Sequence, residues 1–201
     1  MFSYLLLLFT LLTAVCAQGG SLSAGAKVHL SMQAAGVSIV LNGKPISVDF
    51  SGGIDVRVAA NPKNLLESAV SLSGFRMTAK LPSKSAVRAG GDGETITIEQ
   101  SDVDVTPGSL LKMTQQFPPK FEQIMVLSFT MTIDQPDLML RKREPLVLTT
   151  KDPAILVGKL TQFPPMGDIY QLQNPIDLVL PDNPDTTIAT IEKFPVKVGG
   201  L

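Results

Sequence analysis

Apolar and polar side chains alternate along most of this chain with the two-residue period of half-buried β-strands, and that alternation constrains the fold more than any other feature. Val28, Leu30, Met32 and Ala34 alternate with Lys27, His29, Ser31 and Gln33, which sends one row inward and one toward water. Val37 to Leu41 and Ile46 to Phe50 flank Asn42-Gly43, a dipeptide that accepts the positive φ angles of a tight hairpin turn. Gly52-Gly53 reads as the next turn, returning the chain into Ile54, Val56 and Val58 as the third strand of a meander. Asn61-Pro62 can cap and start one short helical turn through Leu65 to Glu67. Strand alternation then resumes from Phe75 to Leu81, through Ile96 and Ile98, and at Val103 and Val105. Met125, Leu127, Phe129, Met131 and Ile133 give the longest inward row, with Ile124 and Val126 making the start of that strand apolar on both faces.

The second half of the chain reads as a duplication. Thr114-Gln115-Gln116-Phe117-Pro118-Pro119 is matched by Thr161-Gln162-Phe163-Pro164-Pro165, and Asp134-Gln135-Pro136-Asp137 by Asp182-Asn183-Pro184-Asp185. Arg143-Glu144-Pro145 pairs in the same order with Lys193-Phe194-Pro195. Units of about 114–160 and 161–201 follow, each a hairpin entered by Phe-Pro-Pro and turned by Asp-x-Pro-Asp. Pro145 and Pro195 donate no ladder hydrogen bond, so they belong on strand edges or at bulges. Short strands, little helix and many Gly and Pro turns predict an all-β fold. An antiparallel β-sandwich is expected, with a closed β-barrel as the alternative.

Leu5 to Ala17 form an apolar run, preceded by no charge and ending in small residues before Gln18, Gly19 and Gly20. That layout predicts a signal peptide over residues 1–17, cut after Ala17, and a single secreted domain over 18–201. The run is too short to remain as a membrane anchor. Cys16 leaves with it, so the expected product has no thiol, and disulfides and thiolate chemistry are excluded. None of the five asparagines begins a glycosylation sequon. A net charge of −1 offers nucleic acid no attraction.

Catalytic groups are scarce. His29 is the single histidine and lies in the polar row of the first strand, and no Gly-x-Ser-x-Gly elbow accompanies it. Zinc needs several nitrogen or sulfur ligands, which are missing. Sugar sites favour aromatic platforms, whereas the chain has no Trp and only Tyr170 beyond the signal. The candidate metal ligands are Asp134, Asp137, Asp182 and Asp185, oxygen donors in equivalent turns of the kind Ca²⁺ uses, although their first role is to cap those turns. Arg141-Lys142-Arg143 reads as charge that discourages edge pairing, with proteolytic processing as the alternative. Phe117, Pro118, Phe163 and Pro164 are the candidate interaction residues, stiff apolar loops that a partner could contact. The expected function is a secreted, non-enzymatic module acting as an extracellular interaction or structural protein, with no cofactor. Two alternatives stand beside it: a carrier of a small hydrophobic ligand, suggested by Met-rich inward rows, and a calcium-dependent adhesion module.

Overall fold

The protein, seen in a computed structural model, is described over residues 25, 27–59, 66–81, 95–101, 103, 105–134 and 145–200. The expected signal peptide, the Asn61-Pro62 turn, Asp137 and Arg141-Lys142-Arg143 lie outside those residues. Thirteen strands are present among them and no helix: β1 Lys27–Leu41, β2 Lys44–Val58, β3 Glu67–Lys80, β4 Thr95–Gln100, β5 Ser109–Gln115, β6 Lys120–Leu127, β7 Phe129–Ile133, β8 Leu146–Thr150, β9 Ala154–Leu160, β10 Asp168–Leu172, β11 Ile176–Leu180, β12 Asn183–Lys193 and β13 Val196–Val198. The fold is all-β and antiparallel, as the alternation predicts.

All thirteen strands belong to one hydrogen-bonded sheet, ordered β12-β11-β8-β7-β4-β3-β2-β1-β13-β10-β9-β6-β5, with further pairings of β12 with β1 and of β3 with β5. The two extra pairings close it twice, and the closures share β1, β2 and β3. One half runs β1-β2-β3-β4-β7-β8-β11-β12 and back to β1, and the other runs β1-β2-β3-β5-β6-β9-β10-β13 and back to β1. Because β4 leads to β5, β6 to β7, β8 to β9, β10 to β11 and β12 to β13, both halves repeat the same order. The molecule is therefore an up-and-down ring of long strands. Three of these run unbroken and the others break at a common waist, between β4 and β5 and at Ser128, Lys151–Pro153, Gln173–Pro175 and Phe194–Pro195. The layers anticipated as a sandwich are opposite walls of this single sheet.

Local chemistry explains the path. Asn42 and Gly43 take φ of 49° and 75°, and the hairpin forms where its turn dipeptide predicts. Gly52-Gly53 is no turn: β2 continues through it, pairing with Met32 and Ser31 on one side and Met77 and Arg76 on the other. The unbroken strands bend at bulges instead. Ala35 and Gly36 together face Asp49, whose carboxylate accepts the Gly36 N–H at 2.7 Å, and Gly74 and Phe75 face Ile54. Each extra residue shifts the phase of the alternation. Leu30, Met32 and Ala34 thus hand the inward row to Val37 and Ile39, and Val70 hands it to Phe75, Met77 and Ala79. Those rows meet in one apolar cluster through both halves, where Phe50 packs edge-on to Phe194 with ring centroids 6.1 Å apart.

Candidate functional site

The half of the ring built on β5, β6, β9, β10 and β13 ends in the turns that carry both Phe-Pro-Pro segments. These turns are neighbours, because β6 pairs with β9 from Phe121↔Leu160 onward. Phe117-Pro118 and Phe163-Pro164 are both cis peptides. The two segments nonetheless do different jobs. Phe117 is 94% exposed at the tip of its turn beside exposed Pro118, whereas Phe163 and Pro164 are half-buried and Phe163 packs on the core. Met166 on the second turn is also exposed, at 70%.

Just inside this end lies the one buried polar pair among the described residues that faces the interior. Gln123 belongs to the inward row Phe121, Gln123, Met125, Leu127 and is fully buried. It lies two residues in from half-buried Phe121, or about 7 Å at strand rise. Tyr170, also fully buried, donates its hydroxyl to Gln123 Oε1 at 2.6 Å. Between them runs β9, whose Gly158 is the cross-strand partner of both. A Cβ on Gly158 would stand 2.6 to 2.7 Å from atoms of the Tyr170 ring, so the bare glycine is the slot through which the ring crosses β9. Burial, helped by the charge of Asp168, pushes the phenol well above its usual range, and Tyr170 stays a protonated donor. Gln123 Nε2 has no partner. A buried amide nitrogen without an acceptor costs about 1 to 3 kcal/mol, and a leucine would fill the same row at no such cost.

Three of the four candidate carboxylates fall within the described residues. Asp134 follows β7, Asp182 lies between β11 and β12, and Asp185 lies in β12, all at the opposite end of the ring and all exposed. Among the described residues no group of three or more His, Cys, Asp or Glu side chains is placed to hold a metal. A surface groove of about 750 Å³ beside β2 and β3 is lined by polar Ser47, Asp49, Ser51 and Thr78 and by apolar Val48 and Leu81, and it holds no orphaned buried group.

His29 sits on the outer wall with its ring over Gly53, and its Nδ1 is 2.8 Å from Asp55 Oδ1. Lys27 Nζ lies 2.8 Å from the other oxygen of Asp55. Lys27 first and His29 second hold the Asp55 carboxyl below its ordinary value. The stabilisation from this depression is complete above the unfolded-state value near pH 4 and is lost as pH falls through the folded one. Carboxyl NMR titration should place the Asp55 midpoint below that of a free aspartate, and Lys27→Met should raise it. An unmoved midpoint would remove Lys27 as the main cause.

Sequence reasoning passed over Gln123, Tyr170 and Gly158 as a group. The available signal was Gln123 itself, a lone amide interrupting an otherwise apolar row. Comparison with known proteins adds the fold. No protein-family model matches the chain, and no curated protein does. Among solved structures, it is similar to DynF from the dynemicin biosynthesis pathway of Micromonospora chersina, with a TM-score of 0.58 and 16% sequence identity over 89% of this chain and 82% of that one. This likeness corrects the expected function. The fold is shared with a protein of a biosynthesis pathway, and the extracellular interaction or structural module, with its calcium-dependent adhesion variant, is set aside.

Proposed function

We propose that the protein binds a small, predominantly apolar molecule inside the end of the ring that carries the Phe-Pro-Pro turns. The observation that carries this reading is the unpartnered Gln123 amide, held by Tyr170 in an otherwise apolar interior. A chain selected for stability alone gains nothing from three positions arranged this way: a glycine that admits a ring, a tyrosine that spends its proton, and a glutamine left half-satisfied. A ligand polar group that accepts from Nε2 completes the set, while its apolar body joins the side chains around it. Phe121, Leu111 and Phe163, half-buried at the rim, are the side chains that yield to admit it. The shared fold with DynF, a protein of a biosynthesis pathway, supports a role with small molecules.

Native mass spectrometry after mild purification should find an apolar adduct. The double variant Gln123→Leu/Tyr170→Phe removes both polar partners together, so it should fold, gain about 1 kcal/mol of stability and lose the adduct. A wild-type protein that carries no extractable apolar molecule, and whose melting temperature ignores added apolar amphiphiles, would refute the reading.

A further inference from the structure

The arrangement around Gln123 also limits what the ligand's polar group can be. We infer that this end of the ring selects an uncharged hydrogen-bond acceptor, such as an amide, ketone or ester carbonyl on an apolar body, and rejects a carboxylate. The inference rests on the reading above and sharpens it.

Orientation comes first. The Tyr170 hydroxyl donates its hydrogen bond to Gln123 Oε1, which leaves the amide nitrogen as the free end. That nitrogen offers N–H donors and no acceptor, so a ligand group must accept. A group with no lone pair to offer, such as an ammonium, cannot satisfy that nitrogen.

Charge comes second. The buried polar side chains among the described residues are Gln123 and Ser109. Ser109, the cross-strand partner of inward-facing Val70, is already occupied by backbone, its hydroxyl accepting from the Val126 N–H at 2.8 Å. No buried lysine or arginine is found among these residues to neutralise an anion. The nearest cations on the site's own strands, Lys120 and Lys159, and Lys112 and Lys197 on the flanking strands, are exposed. A carboxylate entering this interior would give up its hydration for two neutral N–H groups, which costs several kcal/mol more than a carbonyl making the same exchange. Both head groups fit the donors, and only the uncharged one can afford the surroundings.

Dodecanamide and dodecanoate separate these cases, since they share a chain and differ in head-group charge. By isothermal titration calorimetry at pH 8, the amide should bind about ten-fold or more tightly than the carboxylate. As pH falls toward 5 and the acid takes up its proton, the gap should close. Gln123→Leu should weaken binding of the amide about five- to ten-fold at pH 8 and leave the carboxylate rejected, because the hydrogen bond is lost while the cost of burying the charge remains. Gln123→Met, which keeps the side-chain length, serves if the leucine variant does not fold.

Equal or tighter binding of dodecanoate at pH 8 would overturn the selectivity and leave the apolar-ligand reading standing. An affinity for the amide unchanged in both Gln123 variants would overturn the role of Gln123. Failure of both amphiphiles to bind would overturn the selectivity and the proposed function together.

Discussion

Alanine at Gly158 is expected to destabilise the protein by about 3 kcal/mol, with most of that loss returned when Tyr170 is shortened to leucine in the same chain. The new methyl would stand 2.6 Å from Tyr170 Cε1 and 2.7 Å from its Cδ1 and Cζ, inside contact distance of a fully buried ring. Tyr170 would have to swing away, and in doing so it would give up the 2.6 Å bond to Gln123. Overpacking a dry interior costs about 1 to 3 kcal/mol, and stripping a partner from a buried polar group adds about 1 to 3 more. Tyr170→Leu alone costs stability through the space it leaves. In the double variant the alanine methyl occupies part of that space, so the two losses cannot add. Urea denaturation of the four proteins in the cycle reads the coupling directly. Additive losses would mean that the ring does not lie in the Gly158 slot, and the geometry of the candidate site would fall with it.

How much of this was legible beforehand depends on whether the cause of each feature is local. The inward rows and the Asn42-Gly43 hairpin were readable because strand period and positive φ are properties of a few consecutive residues. Gly52-Gly53 misled for a definite reason. A glycine pair serves a tight turn by its conformational freedom and a crowded strand by its missing side chain, and sequence cannot tell these apart. The prolines posed the same problem. Pro145 and Pro195 align in the sequence, yet Pro145 directly precedes β8 at the far end of the ring, and Pro195 lies at the waist with Pro153 and Pro175. Their common property, the lack of an N–H, suits a strand start and a strand break equally.

The candidate site was less legible still, because it is assembled across three strands. Gln123, Gly158 and Tyr170 are brought into one cross-strand row by the β6–β9 and β9–β10 pairings, which depend on two turn lengths and on register. Phe117, Pro118, Phe163 and Pro164 were singled out as loops for a partner. Their placement around the mouth nearest Gln123 follows from the ring's connectivity and is invisible in the residues themselves.

That connectivity also sets the outcome expected at Gly52. Gly52→Ala should cost about 3 kcal/mol or more, a large share of the 5 to 15 kcal/mol that holds a typical domain together. The added carbon would overlap the carbonyl oxygen of Arg76 and stand 2.7 Å from Met77 Cα, so the obstruction is backbone and has no rotamer to change. Relief requires β2 and β3 to separate. On its other side β3 is held by β4, with Arg76 paired to Glu99 in register and through an ion pair of 2.6 Å. On the far side of β2 lies β1, which is itself fixed to β12 and β13. In a sheet with a free edge the strain could be passed outward and released. Here it returns around the ring to the strand where it began. Gly108 is the control, since a Cβ there meets nothing within 4 Å, and Gly108→Ala should change stability by no more than about 0.5 kcal/mol. Unfolding free energies for the two variants that lie within about 1 kcal/mol of each other would mean that β2 and β3 can part without cost, and that the ring is not closed as described.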